Sequence, residues 1–267
     1  MVNFPSCKIN LGLHILSKRQ DGYHEVETPM LSVPLNDVLE ITLSDEDELV
    51  TTGLAIPGTG NLCTDALQLL RNDFAIPPVR IHLHKNIPMG GGLGGGSSDA
   101  AAVLTLLNDL CQLNCSDEVL ENYAAQLGSD CAFFIKGGTQ LCTGRGEILT
   151  PMSLSLSGYW IVLINNGTHV STKTAFEKVI PLADRPSVLA HISLPIAEWK
   201  TALQNDFEVS VFATYPELAA IKSEFYEKGA IYASMSGSGS TMYGIFQEKP
   251  SSISWSFESV FEYWIAL

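Results

Sequence analysis

The feature that most constrains the fold is a glycine run, PMGGGLGGGSSDAA, which begins at Pro88 and has glycine at six of the seven positions from 90 to 96. Glycine loses more backbone entropy on folding than any other residue, so a folded chain keeps such a run where the backbone must adopt a positive φ or lie close to another group. Before the run, the alternating segment Val79–His84 is typical of a strand. After it, apolar residues at three- and four-residue intervals predict a helix that begins around Ser97.

Three interpretations of this run remain open from the residues alone. A flexible linker is disfavoured, because the run is held between a strand and a helix with no change of composition. A dinucleotide fingerprint is met by Gly90, Gly92 and Gly95, but in so dense a run the match is nearly automatic. The third interpretation is a phosphate cradle at a helix N-terminus, where Ser97 and Ser98 add hydroxyl donors. No lysine follows the glycines, which excludes the Walker loop.

The rest of the chain alternates between strand and helix patterns. Its 267 residues, 46% of them apolar, are enough for one large domain or two modest ones, and we place a boundary that gives domains of 1–155 and 156–267. Strands are predicted at Lys8–Leu16, Asp37–Leu43, Val79–His84 and Tyr159–Ile164, and as a strand–loop–strand unit over 231–246. Helices are predicted from a cap at Asn61 to Phe74, from a cap at Ser116 to Gly128, and from Pro216 to Gly229. The segment SDCAFFI from Ser129 is predicted to return to an extended pattern, so that Asp130 falls in a short turn between the helix and a strand.

Charge and cysteine content exclude several classes of function. Fifteen Lys and Arg against 29 Asp and Glu give a formal net charge of −14, which disfavours a nucleic-acid surface. The N-terminus has no signal-peptide pattern and no apolar stretch is long enough to span a bilayer, so we expect a cytoplasmic protein without a membrane partner. The six cysteines have no zinc-site spacing and are expected to be free thiols.

Three motifs in order along the chain resemble those of the GHMP kinases. They are PSCKINLGLHI from Pro5, the glycine run, and SMSGSGSTMYGIF from Ser234, and together they cover nearly the whole chain. The resemblance implies an α+β fold of two domains, the N-terminal one similar to ribosomal protein S5 and the C-terminal one an α/β plait, with the active site in the cleft between them. It also implies an ATP-dependent kinase that uses Mg²⁺.

Further segments resemble one branch of this family, whose members phosphorylate the 2-hydroxyl of a cytidine diphosphate alcohol for isoprenoid precursors by the non-mevalonate pathway. These segments are KINLGLHILSKRQDGYHEVET from Lys8, LGSDCAFFIKGG from Leu127 and GRGEILTP from Gly144, and DGYH is the most discriminating element. The implied partner is therefore a small cytidine diphosphate alcohol, and the protein is expected to be a monomer or a weak homodimer. The alternatives are a GHMP kinase for another small alcohol and, from other classes, a nucleotide-binding protein without catalysis or a dinucleotide oxidoreductase.

The resemblance also assigns roles to individual residues. It implies that Asp130 is the base and that Lys8 stabilises charge beside it, whereas from the residues alone Asp130 could cap a turn and Lys8 could lie at a solvated rim. The family usually has a proline near this aspartate, and here Ser129, Cys131 and Ala132 surround it. The residues expected to bind ATP are Pro88, Met89, Gly90, Gly91, Gly92, Leu93, Gly94, Gly95, Gly96, Ser97 and Ser98, together with Asn61 and Lys85. The residues expected to bind the substrate are Asn10, Tyr23, His24, Arg145, Ser171, Thr174 and Phe176. No protein ligand for the metal is predicted, so Mg²⁺ is expected to be held mainly by the nucleotide phosphates.

Overall fold

The structure, a computed structural model, describes residues 1–250 and 252–267. The strands are β1 (Val2–Asn3), β2 (Ser6–Asn10), β3 (His14–Lys18), β4 (His24–Asn36), β5 (Val38–Leu43), β6 (Glu48–Gly53), β7 (Val79–Lys85), β8 (Thr139–Thr143), β9 (Ile148–Pro151), β10 (Trp160–Asn165), β11 (Tyr232–Met235), β12 (Met242–Phe246) and β13 (Phe261–Ala266). The helices are α1 (Leu62–Arg71), α2 (Gly95–Leu110), α3 (Asp117–Leu127), α4 (Phe133–Lys136), α5 (Thr172–Glu177), α6 (Val188–Ile192), α7 (Trp199–Ala202), α8 (Phe207–Thr214) and α9 (Pro216–Glu227), and a short 3-10 helix covers Ile196–Glu198.

The chain divides into two compact units that interleave along the sequence. The first comprises Met1–Lys8, Pro34–Met89 and Gly94–Gly138, and the second comprises Ile9–Val33, Gly90–Leu93 and Thr139–Leu267. The sequence predicts one boundary near residue 155, and the units do not follow it, because β2, β4 and the glycine run each contribute residues to both. Continuous domains of 1–155 and 156–267 stay a prediction.

The first unit contains a four-stranded sheet in the order β1-β5-β7-β6, in which β6 is parallel and β5 antiparallel to β7. Along β7 the side chains alternate, with Val79, Ile81 and Leu83 buried. Helix α2 packs against β5 and against α1, α3 and α4. The predicted caps are confirmed, since Asn61 Oδ1 accepts the Cys63 N–H at 2.9 Å and the Ser116 hydroxyl accepts the Val119 N–H.

The second unit contains a four-stranded antiparallel sheet in the order β11-β12-β10-β13. Its core combines residues of this sheet, among them Val162 and Met242, with Val211 of α8 and Leu218 and Phe225 of α9. The predicted strand–loop–strand unit is confirmed as β11 and β12, and α9 begins at Pro216 as predicted. A further sheet has the order β2-β4-β8-β9, and β3 pairs with β4.

Two local predictions are wrong. The alternating segment Lys8–Leu16 is two strands, β2 and β3, because the chain turns at Gly12, where φ is +74°. The apolar segment after Asp130 is the short helix α4 rather than a strand, and a short apolar run without a clear period does not distinguish the two. In the part of the chain that the structure describes, no helix has the length and apolar character needed to cross a membrane. All six cysteines are thiols rather than disulfide partners, as predicted.

A buried histidine lies among charged groups in the second unit. The His14 ring, fully buried at the start of β3, lies edge-on to the His191 ring at 5.7 Å between centroids, and its Nδ1 is 3.8 Å from Glu27 Oε2. Neither ring nitrogen of His14 has a hydrogen-bond partner among the described residues. The pKa of His14 is lowered to about 4, chiefly by burial and also by the nearby Arg185, against the opposing effect of Asp206 and Glu27.

We predict that His14 makes the fold sensitive to mild acid. In the unfolded chain its pKa is near 6.5 and in the folded chain about 4, so as the pH falls through 6.5 the unfolded state takes up a proton that the folded state does not. Stability is therefore lost as the pH falls, by about 2 kcal/mol between pH 7 and pH 5. Urea unfolding at several pH values measures this, and His14→Gln should flatten the profile by that amount. An unchanged slope in His14→Gln would contradict the prediction.

Candidate active site

Lys8 and Asp130, the two predicted catalytic residues, are in contact within the first unit. Lys8 lies on β2 with its side chain 3% exposed, and its Nζ is 3.2 Å from Oδ2 of Asp130, whose side chain is 32% exposed. An almost fully buried ammonium group is costly unless a charge of opposite sign lies beside it. The arrangement therefore keeps Lys8 inside and leaves the carboxylate of Asp130 within reach of a bound molecule.

Asp130 is presented by a tight turn between two helices. Helix α3 ends at Leu127, and the Cys131 N–H donates to the Gly128 carbonyl at 3.1 Å before α4 begins at Phe133. The predicted turn at Asp130 is confirmed, although a helix follows it instead of a strand. Because the turn is closed by its own backbone, the proline that is usual in the family is not needed for this shape.

The glycine run brings the N-terminus of α2 to the same place. The N-cap residue of α2 is Gly94, at φ +71°, and it has no side chain to cap the first N–H groups of the helix. A Cβ on Gly94 would lie 2.9 Å from Phe134 Cζ and 3.2 Å from Lys8 Cγ, so the bare backbone packs directly on the lysine. In the first turn of α2, the Ser97 side chain lowers the pKa of the Cys131 thiol, next to Asp130, against the larger raising effect of burial.

This part of the run has the properties of a site for a polyphosphate. Unpaired N–H groups and the helix dipole favour an anion at the start of α2. A Cβ on Gly96 would meet Leu62 Cδ1 and Met89 Cε at 3.8 Å, an ordinary van der Waals contact, so the first turn is packed less tightly at Gly96 than at Gly95. An anion bound here would lie next to a carboxylate and an ammonium group, which is the combination needed for phosphoryl transfer to a hydroxyl.

The residues Gly90–Leu93 of the run belong to the second unit, where they contact the loop between β11 and β12. The Ser236 hydroxyl donates to the Gly92 carbonyl at 2.9 Å, and the Thr241 N–H donates to the Gly91 carbonyl at 3.1 Å. Gly92 has φ +79°, and a Cβ there would lie 2.1 Å from the Ser236 carbonyl oxygen. The late small-residue motif thus holds this half of the glycine run by backbone contacts that leave no room for a side chain.

Two stacked pairs gather the predicted substrate residues of the second unit. The Arg145 guanidinium lies over the Tyr23 ring at 5.0 Å from its centroid, and Tyr23 is 54% exposed. The His24 ring stacks on Phe176 at 4.8 Å with an interplanar angle of 23°. Burial lowers the pKa of His24, and Lys18 lowers it further. Aromatic faces beside a cation are well suited to a base and a diphosphate.

Local hydrogen bonds explain why DGYH takes this shape. Asp21 Oδ1 accepts the Tyr23 N–H at 3.1 Å, and the Arg19 N–H donates to the Tyr23 carbonyl at 2.8 Å, which closes a turn. The turn before β9 is fixed to the start of β4, because Gly144 N–H donates to Glu25 Oε1 at 3.0 Å. These two anchors bring Arg145 to Tyr23 although the two residues are far apart in the sequence.

The remaining predicted substrate residues, Asn10, Ser171 and Thr174, belong to neither stacked pair. Asn10 is buried, its Nδ2 donates to the Thr28 hydroxyl at 3.1 Å, and its carbonyl accepts the Tyr243 hydroxyl at 2.8 Å. Ser171 is the N-cap residue of α5, the helix that carries Thr174 and Phe176. The structure therefore gathers Tyr23, His24, Arg145 and Phe176 into two stacked pairs, and direct substrate contacts of Asn10, Ser171 and Thr174 stay predictions.

The two predicted adenosine residues have other roles in the fold. The Asn61 side chain caps α1, and its contact with ATP stays a prediction. Lys85 was expected to offset phosphate charge, but its side chain is fully buried and forms ion pairs with Asp37 and Asp99. An ammonium group that is enclosed and paired with two carboxylates is not available to a phosphate, so this role must be corrected. The alternation of β7 could have shown it, since it places Lys85 on the same inward face as Leu83.

Sequence reasoning missed the residues that hold the glycine run. Asp37 and Asp99 are buried partners of Lys85, and Asn165 Nδ2 donates to the Ser240 hydroxyl at 3.0 Å next to the late loop. None of them stands in a pattern with a chemical signature. The available signal was a charged residue at an inward position of an amphipathic segment, such as Asp99 in the apolar stripe of α2. Such a residue is rarely buried without a partner of opposite charge.

Comparison with known proteins gives the class of this protein. Residues 61–138 match the GHMP kinases N terminal domain, and residues 194–254 match the GHMP kinases C terminal domain. The chain belongs to the GHMP kinase family and has its two-domain α+β fold. Kinases of this family use ATP.

Individual relatives that match most of the chain carry the name of one particular kinase. The chain is 48% identical over 253 residues, 94% of each chain, to 4-diphosphocytidyl-2-C-methyl-D-erythritol kinase of Cytophaga hutchinsonii. It is 48% identical over 267 residues to the kinase of the same name from Bacteroides fragilis, covering 98% of this chain and 97% of the relative. A crystal structure of 4-(cytidine 5'-diphospho)-2C-methyl-D-erythritol kinase matches with a TM-score of 0.78 at 33% identity, over 91% of this chain and 89% of the other. Mevalonate kinase of Methanococcus jannaschii shares the fold, with a TM-score of 0.68 at 12% identity over 92% of this chain and 90% of the other.

We predict that Gly92→Ala destabilises the fold more than a positive φ alone explains. Gly158 is the matched control, since its φ is +90° and an added Cβ would meet nothing within 4 Å among the described residues. Gly158→Ala should cost about 1–2 kcal/mol, the strain of a left-handed backbone. Gly92→Ala should cost about 1–3 kcal/mol more, because its Cβ collides with the Ser236 carbonyl. Free energies of urea unfolding compare the two, and equal losses would show that the Gly92 contact is not tight.

Proposed function

We propose that this protein transfers the γ-phosphoryl group of ATP to the 2-hydroxyl of 4-diphosphocytidyl-2-C-methyl-D-erythritol, a step in the non-mevalonate pathway to isoprenoid precursors. The observation that carries the proposal is the contact between Lys8 and Asp130, which lies beside the uncapped N-terminus of α2. The names of the relatives that match nearly the whole chain support the choice of substrate.

Asp130 acts as the base in this proposal. Its carboxylate takes the proton of the acceptor hydroxyl as the oxygen attacks the γ-phosphorus, and the bond from that phosphorus to the β-phosphate oxygen breaks to leave ADP. Lys8 Nζ, 3.2 Å from Asp130 Oδ2, pairs with the carboxylate and holds it in place. The same ammonium group stabilises the negative charge that develops on the transferred group.

The glycine run and its serines hold ATP. The N–H groups at the start of α2 donate hydrogen bonds to the phosphate oxygens, and the hydroxyls of Ser97 and Ser98 add donors there. Mg²⁺ would neutralise phosphate charge. Within residues 1–250 and 252–267 no three His, Cys, Asp or Glu side chains are grouped to bind a metal ion. The proposal places Mg²⁺ mainly on the nucleotide phosphates.

The two stacked pairs bind the cytidine diphosphate part of the substrate. Tyr23 and Phe176 offer aromatic faces, His24 offers a hydrogen bond to a base edge, and Arg145 offers charge to a diphosphate. We further propose that the substrate is a small soluble molecule, and that the protein is cytoplasmic and is a monomer or a weak homodimer. Neither nucleic acid nor a membrane is a partner.

An assay of ADP formation tests the substrate. Purified protein with ATP and Mg²⁺ should release ADP with 4-diphosphocytidyl-2-C-methyl-D-erythritol, and mevalonate and homoserine should give no more than the rate without acceptor. Turnover with one of these alcohols instead would indicate a different GHMP kinase. Binding of ATP without turnover on any of them would indicate a nucleotide-binding protein, and a thermal shift with NAD rather than ATP would indicate an oxidoreductase.

We predict that Asp130→Asn lowers kcat by about 10²–10⁴-fold, because asparagine cannot accept the hydroxyl proton. The KM values should change little, since the side chain keeps its size, whereas the unfolding temperature should fall, because the buried Lys8 ammonium group loses the opposite charge of Asp130. Asp109→Asn, an exposed aspartate on α2, is the matched control and should retain wild-type turnover. If Asp130→Asn turned over at the wild-type rate, Asp130 would not be the base.

We predict that Tyr23→Ala raises KM for the cytidine substrate about tenfold and leaves KM for ATP unchanged, because a lost base–aromatic stack costs about 1–3 kcal/mol. Arg145→Lys keeps the charge but loses the planar group that lies over Tyr23, so it should show a smaller rise. Initial rates with each substrate varied in turn give both constants. An equal rise in both KM values would argue against a role in substrate choice.

A further inference from the structure

Three charged side chains of the first unit are buried against one another, and the reaction proposed above does not use them. They are Asp37, Lys85 and Asp99, here called the stem cluster, and their side chains are 0%, 0% and 3% exposed. Lys85 Nζ donates to Asp37 Oδ2 and, at 2.6 Å, to Asp99 Oδ2. Such a cluster adds little stability compared with apolar residues of the same size, so its retention calls for another explanation.

Asp37 fixes the chain where it enters the glycine run. Its Oδ1 accepts the N–H of Asn86 at 2.6 Å and the N–H of Ile87 at 2.8 Å. These two residues lie between the end of β7 and Pro88. Since one carboxylate oxygen holds both N–H groups, the direction in which the backbone leaves β7 is set by Asp37.

Lys85 and Asp99 fix the chain where it leaves the run. A Cβ on Gly95, the first residue of α2, would lie 2.9 Å from Lys85 Nζ and 2.8 Å from Ile87 Cγ2. The ammonium group therefore lies directly against the backbone of Gly95. Asp99, one helical turn further on, binds the same ammonium group and ties α2 to it.

We propose that Asp37, Lys85 and Asp99 are positioning residues that hold the two stems of the glycine run, Asn86–Ile87 and Gly95, in the arrangement that binds the triphosphate of ATP. The proposal rests on the use of ATP in the proposed function. The glycines between the stems have no side chains with which to fix their own N–H groups. Their placement depends on contacts from other segments, such as that of Ser236 with Gly92, and on the two ends of the run, both of which the stem cluster touches.

One carboxylate in the same unit provides a matched control. Asp47 accepts the Val79 N–H at 3.0 Å and a guanidinium N–H of Arg71 at 2.8 Å. It therefore makes the same kind of contacts as Asp37, with a backbone N–H and a basic side chain, at the opposite end of β7. Loss of Asp47 should weaken the fold without reaching the glycine run.

Titration calorimetry of the full chain with a non-hydrolysable ATP analogue and Mg²⁺, without acceptor, tests the proposal. Asp37→Asn should raise the Kd of the analogue at least tenfold, because Asp37 accepts hydrogen bonds with both carboxylate oxygens and asparagine keeps one oxygen. Asp99→Ala should do the same, because it removes the oxygen that binds Lys85 Nζ. Asp99→Asn keeps an oxygen for Lys85 Nζ and should stay within threefold of wild type, which is rescue by the conservative variant. Asp47→Asn should stay within twofold. Thermal unfolding confirms that each variant is folded at the assay temperature, and if Asp37→Asn is not folded, the two Asp99 variants decide the result.

The outcomes separate this proposal from the proposed function. If the wild type binds the analogue and folded Asp37→Asn and Asp99→Ala bind it equally well, the positioning role is overturned and the kinase assignment stands. If Asp47→Asn weakens binding as much as Asp37→Asn, the effect is one of general stability and the positioning role is again overturned. If the wild type does not bind the analogue, the use of ATP fails, and the positioning role fails with it.

Discussion

The backbone of the glycine run has no side chains with which to hold itself in place, and the groups that surround it supply the missing contacts. In the first unit, Lys85 lies against Gly95, and Lys8 packs on Gly94. In the second unit, Ser236 holds Gly92 by a hydrogen bond to its carbonyl. The conformation of the run is therefore determined by residues distant in the sequence. A Cβ on most of these glycines would displace the groups that fix them, so the absence of side chains and the close packing require each other.

The same contacts explain how so acidic a chain can hold an anion. Both lysines next to the run are already paired, Lys8 with Asp130 and Lys85 with Asp37 and Asp99. Burial raises the pKa of Asp99 to about 7 against the opposing effect of Lys85, since a second carboxylate beside one ammonium group leaves a buried negative charge. The lysines contribute little net positive charge. Attraction of a phosphate to this place then depends chiefly on the N–H groups and dipole of α2.

Sequence reasoning identified the elements that carry a local signal. The cap at Ser116, the proline at the start of α9 and the strand before the glycine run are each defined within a few residues, and the structure has all of them. The failures concern residues whose conformation depends on packing. The segment after Asp130 has an apolar pattern that suits a strand or a helix, and its position next to α3 decides for the helix. Lys85 was assigned to ATP because of its place before the run, whereas its inward position on β7 buries it.

The DGYH element shows why a motif can identify a substrate without revealing how each residue acts. Asp21 accepts the Tyr23 N–H and Gly22 has φ +88°, so the first two residues shape a turn. The last two residues present rings, and each ring has a partner from a distant segment: Arg145 over Tyr23 and Phe176 on His24. The sequence shows the turn but not the partners, because they come from segments that only the fold brings together. Under the proposed function, a GHMP kinase for a different alcohol would keep Lys8, Asp130 and the glycine run and change these partners, which would separate the residues that select the acceptor from those that transfer the phosphoryl group.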